Sequence, residues 1–357
     1  MLIHNNRHCL LRKVMQDAVT INIDNSSKIV ILSDLHMGNG GRNDEFRQNA
    51  ELVKNILDNY YFNQKYSLLL NGDIEELYKF SLESISARWQ DMFDLFLKFQ
   101  ENGFFLKTYG NHDAILFNNE KYPFSASLVE SVKLKYGNET ILVFHGHQVS
   151  TYLWKKYSFL NDAIVFILRY FAKPIGIKNF SVAYNSRKKY VIEKAIYEFS
   201  NRFKIISVIG HTHRPLFESL SKVDYLKFRI EALCRTYPEL DEEERLSIKE
   251  TIDELKSELC ACISKSKRNG IRTSVYNEIT IPSVFNSGCT IGKRGITALE
   301  IDSGVIKLVY WYDGKQSPRF KSERNNRPIV LESTDISRIV LNEDSLDYVF
   351  SRLHLLS

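Results

Sequence analysis

The chain has 357 residues, 44% of them hydrophobic and 25% charged, which fits a soluble globular protein of one large domain or two small ones and argues against a disordered chain. Its 48 Lys and Arg against 43 Asp and Glu leave a net charge of only +5, too weak to serve as a nucleic-acid footprint unless it is clustered on one face. Five irregularly spaced cysteines read as idle thiols in a reducing compartment, not as disulfides or a zinc site.

Residues 1–16 are polar and hold no apolar run long enough for a signal peptide. Short apolar runs then end, one after another, in polar clusters. Ile29-Val30-Ile31-Leu32 leads to Asp34 and His36, and Leu68-Leu69-Leu70 leads to Gly72 and Asp73. Phe104-Phe105-Leu106 precedes Gly110-Asn111-His112-Asp113, and Ile141-Leu142-Val143-Phe144 precedes His145-Gly146-His147. Ile205 to Ile209 runs into Gly210-His211-Thr212-His213. Such runs predict buried strands, with helices expected over 44–60 and 84–101. Strand, loop, helix, strand is the rhythm of an α/β fold, whose ligands collect beyond the carboxyl ends of the strands.

Two helical segments interrupt the rhythm. The aromatic block 149–200 reads as a cap and 219–269 as a helical hairpin, both inserted into a single domain spanning 1–357. In the hairpin, Val223, Leu226, Ile230 and Leu233 make one apolar stripe, and Ile248, Ile252, Leu255 and Leu259 a second. Strand-like text resumes at Val284, Ile296 and Val305, and the polar region after Asp313 matches no clear element. The most apolar segment, 163–172, is about half the roughly 20 residues a spanning helix needs. A cytoplasmic protein follows, with room for peripheral contact at the inner face of a membrane.

Six of nine histidines stand at strand ends. Asp34 with His36, and His211 with His213, are two apart, and in extended chain residues i and i+2 point the same way. Asp73, Asn111 and His145 add donors from other strand ends, giving seven candidate ligands. One tetrahedral or octahedral ion cannot use seven, but two can if a carboxylate bridges them. Oxygen and imidazole donors without cysteine suit manganese best, with iron or zinc as alternatives.

The ordered motifs D-x-H (Asp34, His36), G-D-x-x-[DE] (Gly72, Asp73, Glu76), G-N-H-D (Gly110 to Asp113), H-G-H (His145 to His147) and G-H-x-H (Gly210 to His213) resemble those of the calcineurin-like metallophosphoesterases. The resemblance spans 29–214 and resumes at Asn286-Ser287-Gly288. It implies a four-layer α/β/β/α sandwich and a dinuclear centre. Asp34, His36 and His213 would hold one metal, Asn111, His145 and His211 the other, and Asp73 would bridge. His112 would contact the phosphate and act as general acid, oriented by Glu76 where many members carry Asp. Two cations about 3.5–4 Å apart yield a metal-activated hydroxide that attacks phosphorus. They should depress the pKa of His112 while Glu76 raises it.

The substrate implied is a pyrophosphate or phosphoester of a small or lipid-linked molecule. The block after H-G-H is similar in position to the acyl-chain cap of the UDP-2,3-diacylglucosamine hydrolases, although that subgroup usually carries Arg where this chain has His112. The aromatic and basic content of 149–180 is compatible with lipid contact. A nuclease or phosphodiesterase acting on nucleic acid or nucleotides is the alternative, and a protein phosphatase ranks below it. Arg214 stands either as a phosphate contact or as a surface residue.

Overall fold

The computed structural model describes residues 2–103, 105–149, 186–217, 242–268, 281–315, 328–332 and 334–357, together with 226, 230, 233, 234 and 237. Among these residues the strands form two sheets. One has the order β1 (Val19–Ile23), β6 (Ser131–Tyr136), β7 (Glu139–Phe144), β8 (Ile206–Ile209) and β9 (Val284–Asn286). The other has the order β12 (Ile329–Val330), β13 (Ile336–Ser345), β11 (Val305–Asp313), β10 (Ile296–Asp302), β2 (Lys28–Leu32), β3 (Ser67–Asn71), β4 (Phe105–Thr108) and β5 (Leu128–Val129). β2, β3, β4 and β5 run parallel, as do β7, β8 and β9, so their carboxyl ends carry the successive polar motifs.

Helices cover the outer faces. In the larger sheet, Val30, Leu32, Leu68 and Leu70 join a core with α2 (Ala50–Ile56), α3 (Leu82–Arg88) and α4 (Gln90–Asn102), through Val53, Ile56, Ile85, Phe93 and Phe96. In the smaller, Leu142, Phe144 and Val284 pack with Leu11 and Val14 of α1 (Leu2–Gln16) and with Ile192, Ile196 and Phe199 of α5 (Ser186–Phe203). The alternate residues Ile29, Ile31, Leu69, Ile141 and Val143 are also buried, on the opposite faces. Strands buried on both faces read as unbroken apolar runs, which is why the sequence announces them. The resulting layering, helix, sheet, sheet, helix, is the mixed α/β sandwich expected. The sheets are tied together beside the site, where Asn71 Nδ2 donates to the Phe144 carbonyl at 3.1 Å and His145 Nδ1 donates to the Asn71 carbonyl at 2.8 Å.

Both expected helices are less regular than their periodicity suggests. Over 44–60 the chain makes a 3-10 turn (Phe46–Gln48), then α2, then a π-helical turn (Leu57–Phe62) that buries Tyr61 beside Glu300 and Trp311. The helix expected over 84–101 breaks at Trp89, whose indole N–H donates to the Gly38 carbonyl and the Asp44 carboxylate, tying down the loop after the first motif. The polar C-terminal region contributes β12, β13 and α7 (Leu346–Leu356), which starts on a Ser345 cap.

Contacts divide the chain into two compact units, one of 1–217 with 283–355 and one of 218–282. The second contains α6 (Glu242–Arg268), in which Ile248, Ile252, Leu255 and Leu259 are the half-buried to buried stripe that periodicity predicts. Of the first hairpin stripe, Leu226 is buried and Ile230 and Leu233 are half-buried, while Val223, and residues 150–185 of the expected cap, lie outside the described residues. Among the described residues no helix is long and apolar enough to cross a membrane.

Candidate metal centre

The candidate ligands leave the strand ends on an unusual backbone. Asp34, His36, Asp73, His211 and His213 all have left-handed φ, from 49° to 60°. The motif spacing predicts that extended chain aims each i, i+2 pair. The structure differs: both members of each pair sit in left-handed turns, with Leu35 and Thr212 buried between them. Such a conformation costs a non-glycine residue about 1 kcal/mol or more, and only a well-packed surround maintains it. Among the described residues, only Lys65, Lys204 and Ser303 share it without being candidate ligands. Two glycines give the ligands room. A Cβ on Gly72, where φ is 79°, would come within 2.5 Å of His145 Nδ1, and one on Gly110 would run into Asp73 Oδ1.

The side chains converge in two groups. Asp34, His36 and His213 form one, with His213 Nε2 at 3.0 Å from Asp34 Oδ1 and at 3.2 Å from His36 Nε2. Asp73, His145 and His211 form the other, with His145 Nε2 at 3.1 Å from Asp73 Oδ2. Asp73 Oδ2 is also 3.9 Å from His36 Nε2 and 3.9 Å from His112 Nε2, so it faces both groups. Its other oxygen accepts the His112 main-chain N–H at 2.8 Å.

Glu76 does more than its motif position implies. Its carboxylate accepts from His112 Nδ1 at 2.7 Å and from His36 Nδ1 at 3.0 Å. Both rings therefore turn Nε2 toward Asp73. Lys79 Nζ lies 3.5 Å from the same carboxylate. The Tyr78 ring stands 4.4 Å from the His112 ring.

Electrostatics follow from this packing. Burial works against charge on Asp34 and Asp73, but the surrounding histidines outweigh it and hold both carboxyls below their ordinary range, Asp73 well below. Glu76 is also lowered, since the hydrogen bonds from His112 and His36 overcome its burial. Burial opposes a proton on His112, yet Asp73 and Glu76 prevail and raise its pKa. His147, a buried ring 5.6 Å from that of His145, is pushed down to about 3, chiefly by burial, and is neutral at physiological pH.

These residues fit a divalent cation. Asp34 Oδ1, Asn111 Oδ1 and His145 Nε2 are buried and make no hydrogen bond. Leaving such an atom unsatisfied costs roughly 1–3 kcal/mol, which a cation would offset. With Nδ1 donating to the Asn71 carbonyl, Nε2 is the ring nitrogen of His145 left to face a cation.

All the predicted site residues lie in this region of the first unit. Asp113 closes the turn from Gly110 and also reaches a second loop: its buried carboxylate accepts from the Gly110 and Ile74 main chains at 2.6 and 2.8 Å. Arg214 is ion-paired with buried Glu193, which also accepts from Thr212 Oγ1 at 2.9 Å. Sequence reasoning missed Tyr78, Lys107 and Cys289, whose thiol stands beside His213. The signal available for Cys289 was its position directly after Asn286-Ser287-Gly288.

The family profile described as calcineurin-like phosphoesterase matches residues 27–215. No curated protein sequence matches the chain. Among solved structures, a conserved predicted phosphoesterase from Streptococcus pneumoniae is 13% identical, with 80% of this chain and 89% of that one covered and a TM-score of 0.30. Vacuolar protein sorting 29 from Cryptosporidium parvum is 12% identical over 89% of this chain and 98% of that one, with a TM-score of 0.36. A single-mutant Vps29 from Entamoeba histolytica is 10% identical over 88% and 99%, with a TM-score of 0.33.

Proposed function

The chain belongs to the calcineurin-like phosphoesterases, metal-dependent hydrolases of phosphoester bonds, and on that premise we propose that it holds two divalent cations and cleaves a pyrophosphate or phosphoester of a small or lipid-linked molecule. Asp34, His36 and His213 would hold one cation, and Asn111, His145 and His211 the other, with Asp73 between them. The observation that carries this reading is Asp73 Oδ2, which lies within 3.9 Å of ring nitrogens from His36, His112 and His145. Oxygen and imidazole donors favour manganese, with iron or zinc as alternatives.

Bound there, the cations would acidify the attacking water and offset charge building on the phosphoryl oxygens. The chain's own residues do the remaining work. His112, gripped at Nδ1 by Glu76, directs Nε2 into the site and gives its proton to the leaving oxygen. Its main-chain N–H on Asp73 fixes that acid relative to the central carboxylate. Tyr78 lies against His112, and Ile115 and Phe117 stand in the turn that follows it; all three are exposed. An apolar rim beside the proton donor supports an amphiphilic leaving group over a polyanionic one.

Turnover of bis-p-nitrophenyl phosphate with added manganese, alongside metal analysis of the purified protein, tests the reading. Hydrolysis that a chelator stops is expected. A metal-replete protein that binds fewer than two ions and turns over no phosphoester, diester or pyrophosphate would end it.

A further inference from the structure

Beneath the site lies a charged cluster that the mechanism above does not use. Lys107 stands in β4, fully buried. Its Nζ is 2.5 Å from Glu75 Oε2 and 3.3 Å from Asp113 Oδ2, and it lies 4.9 Å from the centroid of the Tyr122 ring. The Tyr122 hydroxyl donates to the other Glu75 oxygen at 2.6 Å. Glu75 and Asp113 are both fully buried.

The two carboxylates belong to different loops. Glu75 lies between Ile74 and Glu76, in the loop that carries Asp73. Asp113 directly follows His112, in the loop that carries Asn111. Closer to the site, the same loops are joined by Asp113 to the Ile74 N–H, Asp73 to the His112 N–H and Glu76 to His112 Nδ1. Without a cation between them, two buried carboxylates would repel and drive the loops apart. A buried lysine is rare unless paired, and this one bridges the loops that must stay in register.

We propose that Lys107 is a positioning residue: by joining Glu75 to Asp113 it holds the Asn111-His112 loop against the Asp73-Glu76 loop and so sets the aim of the proton donor. The kinetic part of this proposal rests on the phosphoesterase reading; the geometric part does not.

The decisive variant is the full-length double substitution Lys107→Met with Glu75→Gln. Wild type carries two carboxylates and one ammonium and the double variant one carboxylate, so the formal charge of the cluster is −1 in both. The field on the site is therefore kept while the bridge is lost. Two quantities are read: the kcat and KM for a phosphodiester with an alkyl leaving group, which needs the proton of His112, with manganese, and the His112 ring signals in metal-free protein by ¹H–¹⁵N NMR, assigned with His112→Ala. The expected result is a folded protein whose kcat falls roughly 10- to 100-fold, whose KM moves less than about threefold, and whose His112 signals shift or broaden.

Unchanged kcat overturns the proposal, and so does a fall in kcat with the His112 signals unmoved, which would mark a role elsewhere. Where the double variant fails to fold, Tyr122→Phe removes one hydrogen bond from Glu75 and keeps every charge. It should shift the His112 signals and lower kcat several-fold, and wild-type values of both would equally overturn the proposal. If wild type turns over no substrate, the phosphoesterase reading fails, and the NMR comparison still decides for or against Lys107.

Discussion

Glu76 holds His112 Nδ1 at 2.7 Å with one carboxylate oxygen and His36 Nδ1 at 3.0 Å with the other. One side chain thus orients both the proposed acid and a proposed ligand. Replacing Glu76 with Gln should lower kcat roughly 10- to 100-fold, the usual cost of losing such a supporting partner.

The pH profile of that variant has a definite sign. Asp73 and Glu76 raise the pKa of His112 against its burial, so in wild type the acid keeps its proton to higher pH and activity falls as pH rises through that value. Removing the Glu76 charge lowers the pKa, and the alkaline limb of the kcat profile should move to lower pH. A limb that stays in place after Glu76→Gln would mean that it reports another group.

His112→Ala separates acid from ligand. The loss should approach about 10²- to 10⁴-fold for an alkyl ester, whose leaving oxygen needs a proton. It should be much smaller for a p-nitrophenyl ester, whose leaving group departs without one. Metal content, measured by elemental analysis, should not change. A variant that comes out stripped of metal would instead make His112 a ligand.

Asp73→Asn removes the carboxylate that faces both groups. Its turnover should fall about a thousandfold or more, since several kcal/mol of charge stabilisation depend on paired cations. Added manganese should raise the wild-type melting temperature, because an ion that binds only the folded state stabilises it, and should leave Asp73→Asn nearly unmoved.

Gly110→Ala makes the smallest change. The added methyl group meets Asp73 Oδ1 and stands 2.6 Å from the Asp73 main-chain nitrogen in the native geometry, so the carboxylate must turn away and the Asp73 backbone must give locally. Calorimetric titration with manganese should show affinity weakened by at least about tenfold, with far-ultraviolet dichroism unchanged.

Much of this was legible because of where the chain is most constrained. β2, β3, β7 and β8 are buried on both faces, so each is an apolar run that stops abruptly at its polar motif. The loops between motif residues follow a different logic. Asp34 and His36 look like alternating strand residues, yet both have left-handed φ, which spacing alone does not encode. Lys107 reads as an ordinary lysine in a short strand, and its two partners come from loops 32 residues before it and 6 after it. Trp89 sits inside a helical pattern, and only its contact with Gly38 and Asp44 explains why the helix stops there. β13 and α7 alternate too little or too weakly for the polar text after Asp313 to reveal them.

The left-handed turns at Asp34, His36, Asp73, His211 and His213 set stability and activity against each other. A chain tuned only to resist unfolding would place glycine or asparagine at those five points and relax. His211→Gly, which relieves one turn without unpairing Asp34, should accordingly tolerate denaturant at least as well as the parent when no ion is supplied, while forfeiting catalysis. Engineering for robustness would thus erode this site first, and variants selected on heat resistance alone would drift toward a sturdy but inert scaffold.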